Sequence, residues 1–81
     1  MAADLKALLT FIAKGIVDDP DMVSVELIDK EELTTLELRV AKDDMGKVIG
    51  RNGRMAKDIR TIVRAASRDR KKVHVDIVDK E

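Results

Sequence analysis

The sequence predicts one α+β domain, with three helices packed on one face of a three-stranded sheet in the order α-β-β-α-α-β. Three observations carry this reading. Apolar residues recur at helical spacing over 4–17 and 54–67. They alternate with polar residues in three short stretches, 22–29, 33–41 and 73–78. Three of the four glycines and the one proline fall between these stretches. The chain has 81 residues, which suits one small core, and it shows no repeat, linker or low-complexity segment. Residues 1–81 therefore read as a single domain: a helix and a hairpin over 1–42, then helix, glycine turn, helix and strand over 43–79.

The first helix places Leu5, Leu8, Leu9, Ile12 and Ile16 on one apolar stripe. Asp4 is its expected N-cap. Gly15 and the run Asp18-Asp19-Pro20 end it, because proline cannot continue a helix. Phe11, the only aromatic residue, is expected in the core or at a subunit contact. Two strands follow. Val23, Val25 and Leu27 are expected to point inward from the first, opposite Ser24 and Glu26. The second turns Leu36, Leu38 and Val40 inward and Glu37 and Arg39 outward. The polar stretch 29–32 joins them as a hairpin.

Asp43 and Asp44 open a short helix over 43–49, where their charge would complement the positive dipole end. The tetrad Gly50-Arg51-Asn52-Gly53 interrupts it. A longer helix runs from Arg54 to about Ser67, with Met55, Ile59, Ile62, Val63 and Ala66 as its expected core stripe. Lys57, Arg60, Arg64 and Arg68 gather on nearly the opposite side, and a solvated face is the expectation for the three arginines. Arg70, Lys71 and Lys72 read as a solvated turn. The last strand turns Val73, Val75 and Ile77 to one side and His74 to the other. The sheet face away from the helices must then meet solvent or a partner.

Net charge is zero, but it is unevenly distributed. Residues 1–44 hold five Lys/Arg and eleven Asp/Glu, a net of −6. Residues 45–72 hold ten and two, a net of +8, and residues 73–81 hold one and three, a net of −2. Such a split points to a basic interaction surface in the second half. Cysteine is absent, which removes disulfides, thiolate metal sites and cysteine nucleophiles, and one histidine makes no metal site. No apolar run approaches the ~20 residues a bilayer span needs, and no secretory leader is visible, so a cytoplasmic protein without a membrane partner is expected. The serines have no evident base, and adjacent acids such as Glu31-Glu32 do not converge on one atom. A non-enzyme without cofactor or metal is the reading.

The segment Gly46-Lys47-Val48-Ile49-Gly50-Arg51-Asn52-Gly53-Arg54 concentrates three of the four glycines with three basic residues. Glycines could serve only the geometry of a helix–turn–helix corner. Here, however, the middle residues are hydrogen-bond donors, Lys47 and Arg54 flank them, and the next helix begins at the tetrad. Bare backbone beside a helix N-terminus suits a phosphate. Neither a Walker loop nor a dinucleotide fingerprint is present. Without Tyr, Trp or a second Phe, RRM and cold-shock readers are disfavoured.

The element order, with V-I-G-R-N-G-R between two helices, resembles a type II KH domain, and most of all the KhpA family of small stand-alone bacterial RNA-binding proteins. The stretch LRVAKDDMGKVIGRNGRMAKDIRTIVRAAS carries the likeness, while the first 30 residues match in layout only. The resemblance implies that Gly50, Arg51, Asn52 and Gly53 hold the phosphates of about four single-stranded nucleotides. It implies an apolar floor at Val48 and Ile49, a positive rim at Lys47, Arg54 and Lys57, and a strand, with Leu38 and Val40, that borders the groove or belongs to the core. It further implies single-stranded RNA, or single-stranded DNA, as partner. A homodimer or a complex with a KhpB (Jag-like) protein would accompany it, in RNA chaperoning and post-transcriptional control linked to cell-envelope growth. The competing expectation is a protein-interaction module, for a ribosomal or other protein surface, with little RNA affinity of its own.

Overall fold

The computed structural model describes residues 4–67 and 72–80. Helix α1 spans Leu5–Ile16, strand β1 Ser24–Asp29, strand β2 Leu33–Ala41, helix α2 Met45–Ile49, helix α3 Arg54–Ala66 and strand β3 Lys72–Lys80. Short 3-10 turns at Pro20–Met22, Lys42–Asp44 and Arg51–Gly53 sit at the joints. This is the expected order, α-β-β-α-α-β. The sheet order is β1-β2-β3, with β1 antiparallel to β2 and β2 parallel to β3. A parallel neighbour demands a crossover, and α2 and α3 supply it.

Helix α1 begins as its sequence dictates. The Asp4 Oδ1 accepts the Ala7 N–H at 3.0 Å, and Val17 closes the far end on the Ala13 carbonyl. Leu9, Ala13 and Val17 are buried, with Leu5, Ile12 and Ile16 packed beside them. Phe11 is 78% exposed, which corrects the expectation that it belongs to the core. It lies on the side of α1 away from Leu9 and Ala13.

Strand β2 is the centre of the core. Leu36, Leu38 and Val40 have no solvent exposure; Val25 on β1 stands in register with Leu38 and Val75 on β3 with Leu36, while buried Val73 lies opposite Thr34. Helices α1 and α3 close over these side chains with Leu9, Ile59 and Val63. Each fully buried Leu or Val contributes about 1.5–3 kcal/mol relative to leaving it in water. Leu38 and Val40 are therefore core and do not border a groove.

Two strand expectations change. Strand β1 starts at Ser24 rather than residue 22, because Pro20 nucleates a 3-10 turn through Met22. Val23 packs against the core from just before the strand. Leu27, expected inward, is 42% exposed, because β1 is an edge strand and only Val25 on it is buried. Strand β3 is longer than expected, and Lys72 belongs to it and not to the preceding turn.

The stripe of α3 also shifts. Ala56, Ile59 and Val63 are buried, whereas Met55 is exposed and Ile62 is 48% exposed. The buried line runs i, i+3, i+7 from Ala56, which turns Met55 and Ile62 to its flank. Arg60 and Arg64 do not form a free solvated face. The Arg60 Nε donates to the Val75 carbonyl at 3.2 Å and the Arg64 Nε to the Val73 carbonyl at 3.4 Å. Both arginines lie along the outer edge of β3. Arg68, Arg70 and Lys71 lie outside the described residues.

The sheet face away from the helices carries His74, exposed as expected, with its Nε2 2.7 Å from Asp76 Oδ1. Glu26, Glu37 and Asp76 stand in one row across the three strands. Glu37 pairs with Arg39 on the same face.

Candidate nucleic-acid interface

The joint between α2 and α3 is built from backbone. Helix α2 closes where the Gly50 N–H donates to the Gly46 carbonyl at 2.9 Å. Gly50 then takes φ 76°, ψ 176°, a region almost reserved for glycine. Space makes the same demand. A Cβ on Gly50 would lie 2.6 Å from the Met55 Cβ and 2.8 Å from the Met55 nitrogen. The loop thus presses its bare backbone against the first turn of α3. Asn52 (φ 57°) and Gly53 (φ 73°) complete the turn in left-handed conformations, which Asn and Gly tolerate best. The Gly53 N–H reaches the Gly50 carbonyl at 3.2 Å, and the Arg54 N–H reaches that of Arg51.

At α3 the first turn carries no acidic residue, and no side chain caps it. Its leading N–H groups and its positive dipole end face the loop. Arg51, Asn52 and Arg54 are exposed around this point. With Gly50, Met55 and Asp58 they line an open pocket of about 270 Å³. Most of the polar groups around that pocket are donors: two guanidinium groups, an amide and the uncapped backbone. Such a set accepts an anion, and the Met55 side chain adds an apolar surface beside it. The Asp58 carboxylate is the one acceptor of formal charge there, suited to an amino or hydroxyl donor and not to a phosphate.

The expected site residues divide three ways. Gly50, Arg51, Asn52 and Arg54 share the pocket, and Gly53 sets the turn they depend on. Ile49 and Lys57 are exposed on either side of the joint and do not line it. Lys47 and Val48 are placed elsewhere. Val48 has 0% exposure and supports the joint from the core, so it offers no floor to a ligand. Lys47 forms ion pairs with Asp18 and, at 3.6 Å, with Asp44, so its charge is not part of a free rim. The Asp18 carboxylate bonded to it raises its pKa above the usual lysine value.

Asp44 explains that pairing. The sequence places it at the start of a helix, and it is only 2% exposed. Its two oxygens accept the backbone N–H groups of Asp18 and Asp19, each at 3.1 Å. Burial pushes its pKa up, but the two N–H donors and Lys47 outweigh that and leave it below the ordinary value. Asp44 therefore fastens the end of α1 to the start of α2, and so fixes the platform on which the glycine turn stands.

Met55 and Asp58 were missed as site residues. Met55 lay on the expected core stripe. Asp58 follows Arg54 by four positions, the spacing that puts two side chains on one helix face, and this was the signal available. Among the described residues no group of three or more His, Asp or Glu is placed to hold a metal ion, and no helix is long and apolar enough to cross a membrane.

The KhpA/KhpB KH-domain family matches this chain over residues 6–77. The chain is 51% identical over 75 residues to the RNA-binding protein KhpA of Clostridium acetobutylicum, covering 91% of this chain and all of that one. It is 48% identical to the RNA-binding protein KhpA of Streptomyces coelicolor, over 93% of this chain and 92% of that one. With the protein of the same name from Borreliella burgdorferi it shares 45% identity, over 89% of each chain. No solved structure gives a significant match. A glycine turn between two helices, a mixed three-stranded sheet behind it and these likenesses over nearly the full chain lead to one conclusion: the chain belongs to the KhpA/KhpB family of KH domains.

Proposed function

We propose that the chain is a non-catalytic binder of single-stranded RNA, and that the turn 50–53 with the start of α3 receives the phosphates. The observation that carries this reading is the backbone of Gly50. Its conformation and its contact with Met55 both exclude a side chain, and the uncapped first turn of α3 lies beside it. Arg51 and Arg54 add charge-assisted donors, Asn52 adds an amide, and Met55 and Ile49 add apolar surface for bases. The relatives named RNA-binding protein KhpA support the ligand class.

Residues 1–81 act as one KH unit that reads about four nucleotides, which is little sequence information. Useful affinity then comes from a second RNA-binding surface, in a homodimer or in a complex with a KhpB-type protein. An RNA chaperone or post-transcriptional regulator in the cytoplasm is the role this implies.

The test is fluorescence anisotropy of short labelled single-stranded RNA and DNA oligomers against the chain and Arg51→Asp/Asn52→Asp, across salt. Wild type should bind, with log K falling against log salt at a slope of about −2 if roughly three phosphates are held. The double variant should lose binding with an unchanged circular dichroism spectrum. Equal binding by the double variant would remove the turn from the mechanism.

A further inference from the structure

The two edges of the sheet end differently. On the β3 edge, Arg60 and Arg64 occupy the outward carbonyls of Val75 and Val73. The first half of that edge is covered from within the chain. The β1 edge has no such cover. The hairpin bond from the Lys30 N–H to the Leu33 carbonyl, at 2.9 Å, sets which residues of β1 face β2. With the register Ser24↔Arg39 through Asp29↔Thr34, these are Ser24, Glu26 and Ile28. Val25 and Leu27 therefore direct their N–H and C=O groups outward, and among the described residues no backbone partner meets them there. Of the usual blunting devices β1 has only acidic side chains, and it holds no lysine, proline or bulge.

Side chains beside that edge say what would cover it. Leu27 is exposed on the helix side and Ile28 on the opposite side. Glu26 is exposed next to them, and Glu31 and Glu32 follow in the turn. The strand and its turn, residues 24–32, hold four acids and one lysine. A second copy of β1 brings its own Glu26 and no cation, so self-pairing sets acids against acids. We propose that the β1 edge receives an extended, basic segment of a partner protein by antiparallel strand addition. Opposite Ile28 and Leu27 the segment carries aliphatic residues, and opposite Glu26 and towards the turn acids it carries lysine or arginine. This surface is separate from the turn 50–53 and does not depend on RNA binding.

The pattern defines a probe, the peptide acetyl-KIVKV-amide, with acetyl-EIVEV-amide as its charge-reversed control. The full chain, labelled with nitrogen-15, is titrated with each while amide shifts and hydrogen exchange are followed. With KIVKV, shifts should centre on β1, and exchange at Leu27 should slow by about tenfold or more at saturation, the mark of a newly bonded amide. EIVEV should leave both unchanged. Leu27→Pro removes an outward N–H that β2 does not use, and should abolish the effect. Glu26→Lys, which changes one exposed side chain, should weaken KIVKV and favour EIVEV even if the proline variant folds poorly. Equal effects of both peptides, or KIVKV shifts confined to residues 50–56, would overturn the proposal. So would protection of Leu27 that rises with protein concentration and needs no peptide, which would make a second copy the occupant.

Discussion

Two joints in this chain use the same chemistry to opposite ends. Between α1 and β1, the backbone N–H groups of Asp18 and Asp19 point together at one spot, and the chain fills it with its own anion, the Asp44 carboxylate. Between α2 and α3, the first turn of α3 also brings N–H groups and the positive dipole end beside the glycine turn, and no side chain caps it. The first joint is closed by a buried carboxylate. The second is open, with Arg51 and Arg54 beside it. Anion-binding backbone is thus not by itself a binding site; on the function proposed above, the open joint is one because no carboxylate caps its N–H groups.

The comparison breaks most sharply at Gly50. Gly50→Ala must find room for a Cβ within 2.8 Å of the Met55 backbone at a φ of 76°. Strain and overpacking together should cost about 3 kcal/mol or more in urea unfolding. Gly53→Ala shares the left-handed φ, but nothing lies within 4 Å of its Cβ. It should cost about 1 kcal/mol and fold normally. Equal costs would mean that close approach, as opposed to backbone angle, has no role at Gly50.

The closed joint is sharpened by Asp44→Asn. One of the two backbone donors then meets an NH2 group, and Lys47 loses a partner. The variant should unfold at lower urea than wild type at pH 7. For a carboxyl whose folded pKa lies below its ordinary value of 3.8, the stabilisation is complete above that value. It is lost as the pH falls through the lowered folded value, so the gap between variant and wild type should shrink there. A gap independent of pH would mean that the charge of Asp44 contributes nothing.

The smallest effects concern cations. Lys47→Ala should leave RNA affinity within about twofold, because its charge is already paired. Arg54→Ala should weaken binding and reduce the salt slope by about 0.7, one phosphate contact. A larger loss for Lys47→Ala than for Arg54→Ala would reverse the assignment of the two.

Much of this was legible in the sequence, for physical reasons that can be named. Strand β2 alternates over nine residues, and a central strand with one buried face must do so. The tetrad between two helical patterns announced the turn, since glycine, and after it asparagine, adopts positive φ most readily. What the sequence could not show depended on distant partners. Asp44 looked like a helix-opening acid because its real partners, Asp18 and Asp19, stand more than twenty residues away. Lys47 sits beside the glycines in sequence but turns to Asp18 in space. Met55 and Ile62 fit an apolar stripe as well as Ala56 does, and choosing between them requires knowing where the sheet lies. Arg60 and Arg64 read as solvent-facing because a strand edge leaves no mark on the helix that covers it.

The most direct test of the two-joint comparison is an amide shift map of the nitrogen-15 labelled chain during titration with a short single-stranded RNA. Shifts should concentrate on Gly50 through Ala56 and leave Asp18 and Asp19 in place. Shifts at Asp18 and Asp19 that match those of the turn, or RNA-dependent shifts that avoid residues 50–56, would contradict the assignment of the open joint as the phosphate site.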